Sequence, residues 1–401
     1  MHSLPTHYSA YLAEALGIPV SKRRLHFGIK SSQTRPRGTA SLQGRIEETL
    51  YGPPSLTVPA WNGHTPTWRT ITPTPERVLD APGLIDDFYL NPLSISPKNI
   101  VAVALGQMIY TFMTVSGRAA KLGSCPDRTY ISSVNWSAND DILAVGLGDG
   151  SVEIWDAYSA TKLRTMRGHQ GRIAALSWSV HIVSSGCKDG SIWHHDVRMP
   201  QHKVQVSSGH TGEVCGLRWR GDGELLASGG EDNLVNLWDA RKSGVTLQSL
   251  VDTRLTIRDH VAGVKALAWA PWDSRLLASG GGTLDANINV WTVTTGARVQ
   301  NVHTPAQITS LTWSLYSKEI LSTHGYPTNS LMIHSFPSMG VVGEISEAHE
   351  SRLLYSDMAP AGDIVVTGAA DDSLKFWRIW DVPGERSGRR ARDLVSQFTI
   401  R

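Results

Sequence analysis

The chain has 401 residues, 41% hydrophobic and 18% charged, which is enough apolar material for a sizeable core. Its 38 basic and 36 acidic residues nearly cancel, leaving no global electrostatic reason to bind nucleic acid or a membrane surface. Three cysteines without CxxC spacing (Cys125, Cys187, Cys215) argue against a disulfide framework, and no apolar run approaches the roughly 20 residues of a membrane span.

Residues 1–68 begin with an apolar, helix-compatible stretch from Tyr8 to Val20, followed by Lys22, Arg23 and Arg24. Met1 to Tyr11 lacks the charged-then-apolar order of a signal peptide. From about residue 29 to 68, Ser, Thr, Gly and Pro dominate without periodicity, so this extension is expected to be mostly disordered. With the sparse cysteines, these features lead us to expect a soluble protein of the nucleus and cytoplasm.

From about 69 to 382 the chain repeats. Strand-like runs end in Phe112, Trp155, His195, Trp238, Trp291, His334 and Trp377, at separations of 43, 40, 43, 53, 43 and 43 residues. A period in the forties, with Gly-His before and Trp-Asp after, is the signature of a WD-repeat β-propeller, so the fold class is all-β with seven four-stranded blades. Blade four shows the pattern best. Gly209 and His210 open it, Val214 to Trp219 is its innermost strand, and Gly221-Asp222-Gly223 and Glu231-Asp232-Asn233 supply its turns. Residues near 69–82 are expected to help close the ring against the last blade.

An Asp stands six positions before the strand-end aromatic in five blades: Asp149, Asp189, Asp232, Asp285 and Asp371. In WD repeats it joins the His of Gly-His, a Ser or Thr and the Trp in a hydrogen-bonded set. Here that predicts His210, Ser228, Asp232 and Trp238 in blade four, and His349, Thr367, Asp371 and Trp377 in the last. Buried polar groups need partners, and a satisfied network rigidifies a blade. These Ser, His and Asp residues are therefore assigned to structure rather than to a catalytic triad, and no G-x-S-x-G accompanies them. His194, His195, Asp196 and His181 could suggest metal ligands. However, His195 falls where other blades carry Trp, so no metal, cofactor or catalytic residue is expected.

More specific segments follow the repeat. Arg77-Val78-Leu79-Asp80-Ala81-Pro82, Asp86-Asp87-Phe88-Tyr89-Leu90-Asn91, Glu213 to Trp219, Leu226 to Asn236 and Gly280-Gly281-Gly282-Thr283 closely resemble the Fizzy and Fizzy-related family. These are WD-repeat activators that deliver substrates to the anaphase-promoting complex/cyclosome, a ubiquitin ligase. The resemblance implies a non-catalytic, substrate-recruiting adaptor in mitosis or meiosis. Its partners would be ligase subunits, D-box and KEN-box substrates such as cyclins and securin-like proteins, and spindle-checkpoint proteins.

It also implies a D-box groove between the first and last blades, formed by Leu79, Asp80, Pro82 and Asp372. The residue types suit that ligand, since a carboxylate takes a guanidinium bidentately and a Leu needs a dry pocket. The positions matching the family's KEN-box surface are Asp87, Tyr110, Thr283, Gln307 and Arg352, at loop or strand ends of different blades. Asp87 would take the peptide Lys, Arg352 its Glu and Gln307 its Asn. Glu231 stands where the family usually has Asn. A carboxylate there loses the amide donor and can repel the peptide Glu.

Residues 383–401 are polar and basic and read as a flexible tail. Its final Ile400 and Arg401 resemble the Ile-Arg ending with which the family docks onto helical-repeat ligase subunits. The family's C-box, an Asp-Arg-Phe-Ile-Pro-like motif, does not occur in this sequence. Either the sequence starts late or this copy is a truncated paralogue that binds substrates or regulators and competes with a full activator.

Overall fold

The computed structural model describes residues 68–69, 71–138, 141–240 and 253–383. The N-terminal extension up to residue 67 and the tail from residue 384, with Ile400 and Arg401, lie outside the described residues. Those described form 28 strands, from β1 (Arg77–Asp80) to β28 (Ser373–Arg378), and no α-helix. The strands group into seven four-stranded antiparallel sheets. Blades one to six each take four consecutive strands. Blade seven takes β26 (Leu353–Met358), β27 (Ile364–Ala369), β28 and, as its outermost strand, β1 from the other end of the chain.

The innermost strands are β2 (Leu93–Ile95), β6 (Ile131–Trp136), β10 (Ile173–Ser179), β14 (Val214–Trp219), β18 (Val264–Trp269), β22 (Ile308–Trp313) and β26. Each packs beside the next around a central channel, and β26 returns to β2. Every strand-end aromatic or its substitute lies on the third strand of its blade, as the spacing predicts. Trp155, for example, is on β8 (Val152–Asp156), Trp238 on β16 (Val235–Asp239) and Trp291 on β20 (Asn287–Thr292). The unusually long interval between Trp238 and Trp291 contains residues 241–252, which are outside the described set.

A sheet with two apolar faces needs neighbours on both, so the core lies between blades. Trp291 and Trp377 are almost fully buried there, and a side chain of that size contributes roughly 2–3 kcal/mol by leaving water. A second set of tryptophans, at the ends of inner strands, ties blades together through hydrogen bonds to the preceding inner strand. Trp136 Nε1 donates to the Ser94 carbonyl at 3.2 Å, Trp178 to Asn135 at 3.0 Å, Trp269 to Arg218 at 2.9 Å and Trp313 to Ala268 at 3.1 Å.

Within blades, the expected polar sets form. His210 places Nδ1 2.9 Å from Asp232 and Nε2 2.7 Å from Ser228 Oγ, which also accepts from Trp238 Nε1 at 2.8 Å. His349, Thr367, Asp371 and Trp377 repeat this arrangement, as do His260, Ser279, Asp285 and Trp291. In blade three His195 substitutes for Trp, its Nε2 lying 2.8 Å from Ser185 Oγ, which His169 Nε2 shares at 2.8 Å. The two remaining acids depart from the expected pattern: Asp149 and Asp189 bind the Ser two residues on rather than a His. Blade two has Tyr130 immediately before its inner strand and no Gly-His, and in blade three a cysteine intervenes.

Ring closure uses β1. Arg77, Val78, Leu79 and Asp80 pair with Phe376, Lys375, Leu374 and Ser373 of β28. Arg77 then crosses to blade one, donating to the Thr114 carbonyl at 3.1 Å and lying over the Phe112 and Phe376 rings at 5.2 and 5.9 Å.

Candidate functional site

In blades two to seven the residue immediately before the inner strand stands at the same end of its blade. In order these are Tyr130, Arg172, Glu213, Gly263, Gln307 and Arg352. In the same six blades the register of the inner strand shifts within its first residues. Such bulges twist a strand locally and re-aim the side chains beside them.

The chain between β1 and β2 lies against this ring. Tyr355 hydroxyl donates to the carbonyls of Ile85 at 2.6 Å and Asp87 at 2.8 Å, and Arg352 holds Asp86 through its carboxylate at 2.5 Å and its carbonyl at 3.0 Å. Arg172 grips Glu213 bidentately at 2.6 and 2.8 Å and Asp87 at 2.7 Å. The Glu213 hydrogen bonds, against the opposing effect of burial, hold the Arg172 guanidinium firmly protonated. Asn91 crosses the channel, its amide donating to the carbonyls of Ala174 at 2.7 Å and Cys215 at 2.9 Å. Beneath it, Lys265 is buried, donates to the Leu354 carbonyl at 2.9 Å and lies 4.5 Å from the Tyr355 ring centre. Burial pushes its ammonium down to about 7.

The residues expected for a KEN-box surface fall into two groups. Asp87, Gln307 and Arg352 belong to the mouth and its strap, with Glu231 and Thr283 at its rim. Gly263 bridges these last two, since it accepts from the Gly282 N–H at 2.9 Å, and a Cβ on Gly263 would stand 3.4 Å from the Glu231 Cα. Asp87 and Arg352 are already ion-paired with Arg172 and Asp86, so a peptide would meet shared rather than free charges. Burial and then the nearby Glu231 carboxylate push the Tyr89 phenol upward. Tyr110 differs from expectation in lying inside β4 (Met108–Met113) rather than at a strand end, and it packs on the cluster that holds Ala81 and Phe88.

The residues expected for a D-box groove lie together at the end of the closing strand pair. Asp80 is opposite Ser373, Leu79 opposite Leu374, and the Ala81 N–H donates to the Asp372 carbonyl at 2.7 Å. Asp80, Pro82 and Asp372 are exposed and Leu79 is half-buried. Asp372 takes the left-handed turn position that follows the structural Asp in each such blade, with φ of 55°; Gly190, Asn233 and Ala286 occupy it elsewhere. Its carboxylate accepts from the Gly83 N–H at 3.1 Å. Neither Asp80 nor Asp372 has an ion-pair partner among the described residues.

Sequence reasoning missed Arg172, Glu213, Tyr130, Tyr355 and Lys265. The signal for the first three was present, one residue before each inner strand, but it becomes visible only when the blades are superposed.

A seven-bladed WD-repeat propeller with an enclosed, strapped channel and exposed acids at its closure belongs to the class of rigid binding platforms. The model of the CDC20/Fizzy WD40 domain matches residues 79–377, and the chain belongs to that family. It is 46% identical over 380 residues to the WD repeat-containing protein slp1 of Schizosaccharomyces pombe, covering 94% of this chain and 74% of that protein. It is 40% identical to the anaphase-promoting complex subunit cdc20 of Dictyostelium discoideum over 80% of this chain and 64% of that one. A chain in the crystal structure of a mitotic checkpoint complex superposes with a TM-score of 0.73 at 44% identity, covering 90% of this chain and all of that one.

Proposed function

We propose that this chain is a substrate-recruiting adaptor of the anaphase-promoting complex, engaging D-box and KEN-box segments in the nucleus and cytoplasm without catalysis of its own. Relatives named as subunits or activators of that complex support the ligase as partner. The similarity to a chain of the mitotic checkpoint complex supports checkpoint proteins as further partners. The absence of catalysis is supported by the His-Ser-Asp sets, whose members are hydrogen-bonded inside blades with Trp238, Trp291 or Trp377 rather than aimed at a common cleft. By this reading Ile400 and Arg401 dock the tail onto the ligase.

The observation that carries the proposal is the pair of exposed carboxylates, Asp80 and Asp372, beside half-buried Leu79 on the closing strands. They offer a D-box arginine two acceptors and a D-box leucine an apolar wall. A calorimetric titration with a D-box peptide tests this. Asp372→Asn keeps the acceptor for Gly83 and tolerates positive φ, so it removes charge without disturbing the turn. Combined with Asp80→Asn it is expected to weaken binding about tenfold or more, since charge-assisted bonds are worth roughly 1.5–3 kcal/mol each. Unchanged affinity in a folded double variant refutes the assignment.

A further inference from the structure

Blade three carries a cysteine at a position where the three blades with a bonded His–Asp pair keep the side chain minimal. The last residue of the second strand is Gly230 in blade four, Gly281 in blade five and Ala369 in blade seven, but Cys187 in blade three. That position points into the gap between the structural His and Asp. A Cβ built on Gly230 would stand 2.7 Å from His210 Nδ1 and 2.6 Å from the Asp232 carboxylate. In blade three the thiol enters this gap, and His169 Nδ1 meets Ser191 Oγ at 3.3 Å instead of a carboxylate. One imidazole nitrogen, one sulfur and one carboxylate oxygen, from His169, Cys187 and Asp189, then lie within 4.8 Å of one another. Among the described residues this is the one place where three such donors converge.

We propose that His169, Cys187 and Asp189 form a binding site for a single thiophilic divalent cation of the zinc type, with its fourth position open to water. Tetrahedral zinc takes sulfur at about 2.3 Å and nitrogen or oxygen at about 2.0–2.2 Å, so its donors stand roughly 3.3–3.8 Å apart. Closing from within 4.8 Å brings the donors together by up to about 1 Å and takes the Cys187 thiol from the Gly171 carbonyl, which it meets at 3.3 Å. His169 is already oriented for the task. Its Nε2 is committed to Ser185 Oγ and its ring stacks on Trp193 at 4.2 Å, so Nδ1 is the nitrogen available to the cation once it leaves Ser191 Oγ at 3.3 Å. Asp189 is exposed and gives the cation an entry path from solvent. The cation displaces the thiol proton to solvent as the metal–sulfur bond forms, so affinity rises with pH.

The full chain, freed of metal by chelation and kept reduced, is titrated with Co2+ as a spectroscopic probe. A thiolate-to-cobalt absorption saturating at one equivalent, and displaced by Zn2+, is the expected result. Cys187→Ala removes the absorption while reproducing the Ala369 arrangement of blade seven, and Cys125→Ala and Cys215→Ala retain it. Asp189→Asn, which keeps the thiol, weakens Co2+ binding by at least about tenfold. No thiolate absorption in the native chain, its persistence in Cys187→Ala, or unchanged Co2+ affinity in Asp189→Asn overturns the site.

Discussion

At the scale of single residues, the channel mouth is organised by charge sharing. Arg172 joins Asp87 on the strap to Glu213 on blade four, and the Glu213 side chain is only 2% exposed. Removing the cation strands a buried carboxylate, a change that typically costs about 3–5 kcal/mol. Arg172→Met is therefore expected to lower the urea midpoint substantially, and an unchanged midpoint would show that the triad contributes little. Glu231 behaves differently. It is exposed at the rim, and its charge adds to that of Glu213 and Asp87 around Tyr89. If it repels the peptide Glu, Glu231→Asn should raise KEN-peptide affinity several-fold, within the roughly 1 kcal/mol of an exposed charge interaction. D-box binding should not change. Equal KEN affinity for both proteins would make the departure from the family neutral.

At the scale of strands and blades, the repeat was readable because each blade repeats the same physical problem. In most blades the third strand ends in a large side chain that bonds the polar set beside it, so Trp238, Trp291 and Trp377, and also His195 and His334, marked their blades, and Trp155 fell on the same period while bonding Glu153 instead. The inner-strand tryptophans Trp136, Trp178, Trp219, Trp269 and Trp313 were equally periodic. They went unused because their hydrogen bonds run to the preceding blade, which no local pattern reveals. The strap contacts were illegible for a stronger reason: Asp86, Arg172 and Arg352 meet only once the ring has closed, and sequence spacing carries nothing about that. Trp178→Phe tests the interblade tie. It keeps an aromatic side chain, smaller by the pyrrole ring, but loses the hydrogen bond to Asn135, and a drop in unfolding free energy of at least about 1 kcal/mol is expected. No loss in a urea titration would mean that packing alone joins these blades.

For the molecule as a whole, burial of histidine sets the response to acid. Burial holds His169, His194 and His324 down to about 4, below the ordinary 6.5. The folded state therefore binds fewer protons than the unfolded chain between those values. The resulting stability is complete above about pH 6.5 and is lost as pH falls toward 4, with a limiting slope of about 1.4 kcal/mol per unit for each histidine. Asp232, Asp285 and Asp371 act in the same sense at lower pH: burial is the largest single influence and raises their carboxyls, but the hydrogen bonds and charges of His210, His260 and His349 with further side-chain and backbone donors together depress them. Urea midpoints measured from pH 7 to 4.5 should fall steeply, and a flat profile would contradict this assignment.

The pairing of β1 with β28 also has a consequence for biosynthesis. Glu76 and Arg378, which bond across this closure, are 302 residues apart. During translation at about 5–20 residues per second, the first strand waits roughly 15–60 s for its partner to leave the ribosome. Until then blades one to six can form only an open arc, and β1 has no strand to pair with. Such a strand is a template for pairing with other chains. The newly made protein thus passes through an interval in which its route to the closed ring competes with association. The length of that interval is set by the order of its strands, not by the stability of any blade.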